Sequence, residues 1–183
     1  LMIGMPPVII LPGICNSGPD HWQTLWEGRI PGATRFAPSN WFYPEVGDWV
    51  AAIDRAVTAA PEPPLLVAHS LGCLAVAHYV SAVARPVAGA FLVAVPDPAA
   101  RAFPTEAESF ADVPLRPFPF PSLMVASEDD PYAGAAYSRE TAASWGADLV
   151  IAGAHGHINS SSGLGDWPAG FTLLEAFAAR IAA

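Results

Sequence analysis

Residues 64–73 constrain the fold more than any other part of the chain. They read PLLVAHSLGC, an apolar run ending at a serine that has small residues two positions away on either side, Ala68 and Gly72. This pattern predicts a buried strand, a sharp turn with Ser70 at its tip, and a helix that begins at Leu71. Such a turn exposes the serine hydroxyl and places the Leu71 N–H at a helix N-terminus, where negative charge is favoured.

Two interpretations of Ser70 follow. Strand, small-x-Ser-x-Gly and helix is the context of a nucleophile elbow, although the usual pattern has glycine where this chain has Ala68. Serine is also a preferred N-cap, so Ser70 can instead serve only to start the helix. The first interpretation requires a base, an acid and oxyanion donors elsewhere in the chain.

Strand and helix signals alternate along the chain, which predicts the α/β class. Apolar runs without polar alternation are typical of strands buried on both faces of a parallel sheet. Connections of crossover length between them predict a single domain over residues 1–183 with a doubly wound, mostly parallel six-stranded sheet. The predicted strands are the run before Ser70 and residues 8–11, 34–37, 88–95, 122–127 and 148–151.

Helices are predicted between these strands. One begins at His21 with Asp20 as its candidate N-cap, one carries an apolar stripe over 46–60, and one follows Ser70. Two more cover residues 133–145 and the end of the chain. Residues 101–121, rich in proline and phenylalanine, predict a long surface connection with one helical turn, too short for a lid domain.

Composition excludes several classes of function. The net charge is −9, and the 8 Lys and Arg residues form no run, which argues against a nucleic-acid partner. No apolar run reaches transmembrane length and no basic leader is evident, so we expect a cytoplasmic protein without membrane association. Cys15 and Cys73 lack metal-site spacing and predict reduced, partly buried thiols. We expect no metal or cofactor.

Chemically active residues follow the predicted strands at their carboxyl ends, where open parallel sheets bind ligands. Ser70 follows the third strand, Asp130 the fifth and His157 the last. This order along the chain is typical of α/β-hydrolases. An imidazole can take the serine proton while an aspartate holds its tautomer. The backbone N–H groups of Leu71 and Ile14 are the candidate oxyanion donors.

Both the acid and the base have rivals. Asp97 follows the fourth strand and competes with Asp130, which we favour because the proline after it keeps it extended. Asp129 is interpreted as a solvated loop charge. His155 competes with His157, which we favour because it follows a glycine.

The other histidines and the aromatic residues have less certain roles. We expect His69 to point away from the nucleophile and His78 to be a hydrogen-bonded core residue. His21 either braces the loop after the first strand or only starts a helix. Core packing is the commoner role of any one aromatic residue. The candidates for the substrate pocket are His21, Trp22, Trp41 and Tyr132, with Phe42, Tyr43 and Trp167 as further aromatic candidates.

Several short motifs together resemble one family. They are LPG at 11–13, DHWQ at 20–23, AHSLG at 68–72, EDDP at 128–131, GHIN at 156–159 and GDWP at 165–168. The chain resembles the small serine hydrolases related to retinoblastoma-binding protein nine. The resemblance implies a compact α/β-hydrolase fold with strand order 2-1-3-4-5-6 and no lid domain. It also implies the roles of nucleophile, acid and base for Ser70, Asp130 and His157.

We therefore expect a cofactor-free serine hydrolase that cleaves carboxylic esters of small or medium apolar acyl groups, or small amides, through an acyl-enzyme. The alternative is a catalytically weak protein-interaction module on the same fold, although the sequence indicates no particular protein partner. A third hypothesis is acyl transfer or peroxidase-like activity at the same site. It differs from hydrolysis only in the nucleophile that resolves the acyl-enzyme.

Overall fold

A six-stranded sheet runs through the middle of the molecule. The computed structural model describes residues 4–183, so the first three residues of the predicted domain lie outside it. All neighbouring strands are parallel, and their order is β2-β1-β3-β4-β5-β6. The predicted fold class and strand order are confirmed. The strands are β1 Val8–Leu11, β2 Thr34–Arg35, β3 Leu65–His69, β4 Gly89–Val93, β5 Ser122–Ala126 and β6 Asp148–Ile151.

Five α-helices connect and flank the strands: α1 Trp22–Arg29, α2 Val46–Ala59, α3 Leu71–Ala82, α4 Ala135–Trp145 and α5 Pro168–Ile181. The N-cap of α1 is His21, whose ring Nδ1 accepts the N–H of Gln23, so the predicted Asp20 cap is wrong. The helix starts one residue later than the prediction, which moves the cap onto the histidine. Over residues 4–183, none of the helices has the length and apolar character needed to cross a bilayer.

Both faces of the sheet are buried, which explains why the central strands show no polar alternation. On one face the core includes Trp49, Leu74 and Trp145, from α2, α3 and α4. On the other face it includes Trp26 and Phe171, from α1 and α5. The helix α3 is apolar nearly all round because both its sheet side and its outer side are covered.

Residues 101–121, in the connection between β4 and β5, lie mostly on the surface as predicted, but the side chains of Ala107, Phe110 and Phe118 are buried. This segment contains a 3₁₀ helix, Thr105–Phe110, with Phe110 fully buried. Phe118 stacks on Trp145, whose indole N–H donates to the Pro114 carbonyl at 2.9 Å. The ring of His78 lies within hydrogen-bond distance, 3.1 Å, of the Phe110 carbonyl, consistent with a hydrogen-bonded role for His78. The phenylalanines of this segment therefore pin it to the core.

Candidate active site

Ser70 lies at the tip of a strained turn between β3 and α3. Its backbone has φ 55° and ψ −125°, on the left-handed side that non-glycine residues rarely adopt. The Ser70 N–H donates to the Val93 carbonyl at 2.9 Å, which ties the turn to β4. The serine side chain makes no capping hydrogen bond to α3. The N-cap interpretation of this hydroxyl is therefore wrong.

The turn packs closely against the end of β1. A β-carbon on Gly72 would overlap the carbonyl oxygen of Leu11 and lie 2.9 Å from that of Pro12. A β-carbon on Gly13 would lie 3.0 Å from the Ser70 β-carbon. Such distances leave no space for side chains. The small residues thus bring the loop after β1 into contact with the serine.

Three side chains from separate loops form a continuous chain of hydrogen bonds. The Ser70 hydroxyl lies 2.8 Å from Nε2 of His157, and Nδ1 of His157 lies 3.0 Å from both carboxylate oxygens of Asp130. A carboxylate only accepts, so Nδ1 carries the proton and, in the neutral ring, Nε2 accepts from the hydroxyl. The Asp130 side chain is only 2% exposed and also accepts the Tyr132 N–H at 2.9 Å.

The rival residues do not join this chain. The carboxylate of Asp97 accepts the N–H of Ala99 at 2.8 Å, within its own turn after β4. His155 contributes its backbone N–H to the Ser127 hydroxyl at 2.8 Å. Of the competing candidates, the structure brings Asp130 and His157 to Ser70.

Asp129 is exposed, as predicted for a loop charge, but its carboxylate also accepts two hydrogen bonds. Its carboxylate accepts the N–H of Gly156 at 2.7 Å and the hydroxyl of Ser127 at 2.9 Å. These hydrogen bonds, with the Gly156 N–H first, lower the pKa of Asp129. The contact with Gly156 holds the residue directly before His157. Asp129 therefore links the loop after β5 to the loop that carries the histidine.

His69 lies against the site, not away from it as predicted. One ring nitrogen, Nε2, lies 2.9 Å from the carbonyl of His157 and donates to it, and the two rings are 4.9 Å apart. Burial, together with His157 and His21 nearby, lowers the pKa of His69 well below its usual value, so the ring is neutral. The signal was present in β3: strand alternation places His69 on the face of Val67, the face covered by Trp22.

His21 caps α1 and also lines the cavity above Ser70. Burial, followed by the charges of Arg35 and His157, lowers the pKa of His21 to about 4, so the ring is neutral. Because Nδ1 accepts the Gln23 N–H, the ring proton is on Nε2. Within residues 4–183, Nε2 of His21 is the one buried side-chain polar atom without a hydrogen-bond partner.

A cavity of about 580 Å³ opens over Ser70. Of the four predicted pocket residues, His21 and Tyr132 line it, whereas Trp22 and Trp41 do not. Trp22 is buried in the core, where its indole N–H donates to the Ile158 carbonyl at 2.8 Å. Trp41 packs edge-on against Phe36 and Trp49. Sequence alone does not distinguish a core tryptophan from a pocket tryptophan.

The cavity lining combines apolar and polar side chains. Phe42 and Tyr43, 61% and 72% exposed, contribute to it together with Phe103 and Pro104, and the polar lining residues include Asn16, Asn159, Ser160 and Ser161. Glu106 is the one carboxylate among the lining residues, and no lysine or arginine from the described chain reaches the cavity. Such a cavity suits a mainly apolar ligand.

Both candidate oxyanion donors belong to the cavity lining. Across residues 4–183, neither the Leu71 N–H nor the Ile14 N–H donates to another protein group. A β-carbon on Gly13 would lie 3.2 Å from the Leu71 nitrogen, so the loop before Ile14 approaches the helix start closely. The two N–H groups thus come from segments in direct contact.

The cysteines and the metal-ligating residue types form no further centre. Cys15 is exposed and lines the cavity, which corrects the prediction of a partly buried thiol, because it lies in a left-handed turn of the loop after β1. Cys73 is buried, and burial raises the pKa of its thiol. Within the described chain, no group of three or more His, Cys, Asp or Glu residues is arranged to hold a metal ion.

The parallel sheet, the elbow and the strand-end loops define an α/β hydrolase. Residues 8–176 match the family model described as serine hydrolase, and the chain belongs to this family. It is therefore a serine hydrolase.

Solved structures agree with this assignment. A YdeN-like hydrolase from Pectobacterium atrosepticum is 30% identical with a TM-score of 0.87, and the match covers 98% of this chain and 94% of that one. The ydeN product of B. subtilis is 22% identical with a TM-score of 0.76, over 94% and 98% of the two chains. An esterase domain from Rhodothermus marinus shares the fold at 19% identity and a TM-score of 0.68, over 99% and 90%. A search of curated proteins found no significant match.

Proposed function

We propose that this serine hydrolase cleaves small, mainly apolar carboxylic esters, with Ser70 as nucleophile, His157 as base and Asp130 as acid partner. One observation carries the proposal. The Ser70 hydroxyl lies 2.8 Å from Nε2 of His157, and Asp130 holds the same ring through Nδ1. A serine hydroxyl is a weak nucleophile until a base takes its proton during attack. This arrangement supplies the base in the required tautomer.

The reaction proceeds in two halves. The Ser70 oxygen attacks the ester carbonyl carbon while its proton passes to Nε2 of His157, and the Asp130 carboxylate stabilises the imidazolium. The carbonyl oxygen becomes an oxyanion that accepts from the Leu71 and Ile14 N–H groups. As the C–O bond breaks, the imidazolium gives its proton to the leaving alcohol. Water then attacks the acyl-enzyme by the same route and releases the acid.

The cavity supports the choice of substrate class. Its aromatic and proline side chains favour apolar groups, and among residues 4–183 no lysine or arginine side chain lines the cavity to act as counter-ion for an anionic substrate. Tyr132, whose ring centroid lies 4.3 Å from that of His157, is placed to contact the group nearest the scissile bond. Small amides are a second substrate type for the same site.

The proposal is tested with p-nitrophenyl esters of increasing acyl length and the matching anilides. We expect turnover of the esters, slower turnover of the anilides, and loss of at least about 10³-fold in kcat for Ser70→Ala. Ser81→Ala, an exposed serine on α3, is the matched control and should behave as wild type. Turnover that survives Ser70→Ala, or a folded wild type without any turnover, would contradict the proposal.

A further inference from the structure

The loop after β1 adopts a backbone that it does not favour by itself. Cys15 and Asn16, directly after Ile14, have φ values of 67° and 64°. Consecutive non-glycine residues in the left-handed region are rare because the β-carbon crowds the backbone. Contacts from outside the loop must therefore hold it. One such contact is the Cys15 N–H, which donates to the Trp41 carbonyl at 2.8 Å.

Two of the remaining contacts come from Arg35, at the end of the edge strand β2. Two others come from α1: the Ser17 hydroxyl donates to the side-chain oxygen of Gln23 at 2.7 Å, and the Thr24 hydroxyl donates to the Ser17 carbonyl at 3.0 Å. One terminal nitrogen of the Arg35 guanidinium donates to the Asn16 side-chain oxygen at 2.9 Å and to the Ser17 carbonyl at 3.0 Å. The other terminal nitrogen donates to the Thr24 hydroxyl at 2.9 Å, and Nε donates to Glu27 at 2.8 Å. The Arg35 side chain is only 17% exposed, and its bonds to Ser17, Thr24 and Glu27 are partly buried, whereas its bond to Asn16 is exposed.

The pattern depends on the planar shape of the guanidinium. Its donors point in fixed directions, toward the loop on one side and toward α1 on the other. A lysine has a single nitrogen and cannot serve both sides with the same geometry. Glu27 lies against the guanidinium and offsets its charge, so the arginine is paired before any ligand binds. Arg35 is not among the residues that line the cavity.

We propose that Arg35 is a positioning residue for oxyanion binding: by holding Asn16 and Ser17, it fixes the strained turn that presents the Ile14 N–H to the cavity. The inference rests on the proposed function of the Ile14 N–H. This positioning acts mainly in the transition state, because the Ile14 N–H binds the substrate carbonyl oxygen most strongly once that oxygen carries negative charge. Loss of Arg35 should therefore lower kcat and leave KM nearly unchanged.

The test compares Arg35→Lys and Arg35→Ala with wild type. We expect kcat for an ester to fall about 10- to 100-fold, the loss that follows misplacement of a transition-state donor. Added guanidinium ion, at concentrations far below those that unfold proteins, should restore part of the kcat of Arg35→Ala and none of that of Ser70→Ala. Arg85→Ala is the matched control. It removes the same charge from an exposed pair with Asp54, distant from the cavity, and should keep wild-type kcat and KM.

Hydrogen exchange gives a second readout that does not need turnover. In Arg35→Lys, the hydrogen-bonded amides of residues 15–17 should exchange at least about 10-fold faster, whereas amides of residues 65–69 in β3 should be unchanged. Unchanged exchange in residues 15–17, or wild-type kcat in Arg35→Lys, would overturn the role of Arg35. If wild type hydrolyses no ester but these amides still exchange faster in Arg35→Lys, the result would support the contact between Arg35 and the loop. It would refute only the proposed function.

Discussion

Replacing His21 by asparagine should make the stability of the fold less dependent on pH. In the folded protein the His21 ring is 5% exposed and its pKa is about 4, compared with 6.5 for an unperturbed histidine. The unfolded chain therefore binds the proton more tightly than the folded protein. Because of this difference, stability falls as pH drops through the window from 6.5 to 4 and is regained as pH rises.

The size of the effect follows from the two pKa values. Each pH unit inside the window changes the free energy of unfolding by about 1.4 kcal/mol. Between pH 7 and pH 5 about 1.5 units of the window are crossed, so His21 should account for a loss of about 2 kcal/mol. The pKa of His69 is also lowered, so the variant should keep a smaller pH dependence of its own. The difference between the two proteins reports His21 together with its effect on the pKa of His69, which the neighbouring His21 helps to lower.

The assay is urea unfolding at pH 5 and pH 7, followed by tryptophan fluorescence. Asparagine is a preferred N-cap, and its side-chain oxygen can accept the Gln23 N–H that His21 now accepts. His21→Asn should therefore match wild type at pH 7 and exceed it by about 2 kcal/mol at pH 5. His21→Gln should show the same reduced pH dependence as His21→Asn. Its free energy of unfolding should be about 1 kcal/mol lower than that of His21→Asn at both pH values, because glutamine is a poor N-cap. Equal pH dependence in wild type and His21→Asn would refute the reasoning.

Three further variants test the elbow and the loops around it. Gly72→Ala should lower the free energy of unfolding in urea by about 3 kcal/mol or more, because the new β-carbon would overlap the backbone of β1. Gly28→Ala, which has open space on α1, should raise it by about 0.5–1 kcal/mol. Equal effects of the two substitutions would contradict the packing argument. Asp130→Asn should lower kcat by about 10⁴-fold through the wrong histidine tautomer, and Asp97→Asn should change kcat little; a reversed ranking would exchange their roles. Asp129→Asn should lower kcat about fivefold, because one hydrogen bond that holds the histidine loop is weakened, and a wild-type kcat would show that the loop keeps its position without it.

Local patterns in the sequence predicted most of the fold. The strands of the sheet centre are continuous apolar runs because both of their faces are buried, and this pattern needs no knowledge of distant contacts. The elbow was predictable for a similar reason, since strand, turn and helix are consecutive in the chain. The convergence of Ser70, Asp130 and His157 followed from topology, because the carboxyl ends of parallel strands meet at one edge of a sheet.

Several errors arose where contacts join segments that are distant in sequence, whereas the wrong cap of α1 was a local shift of one residue. The hydrogen bond from His69 to the His157 carbonyl spans 88 positions, and no local pattern specifies it. The contacts of Arg35 with Asn16 and Ser17 likewise depend on how β2 lies beside β1. Trp22 was predicted to line the pocket, but its ring packs against Trp167 at the start of α5. A tryptophan is equally suited to a core and to a pocket wall, so the residue type alone does not separate the two.

The central claim is that Ser70 is a nucleophile activated by His157. It is tested most directly by intact mass measurement after exposure to a fluorophosphonate probe, on wild type, Ser70→Ala and His157→Ala. Each protein is first shown to be folded by circular dichroism. The account predicts one adduct on wild type, none on Ser70→Ala, and strongly slowed labelling of His157→Ala. An unlabelled, folded wild type, or an adduct that persists in Ser70→Ala, would contradict it.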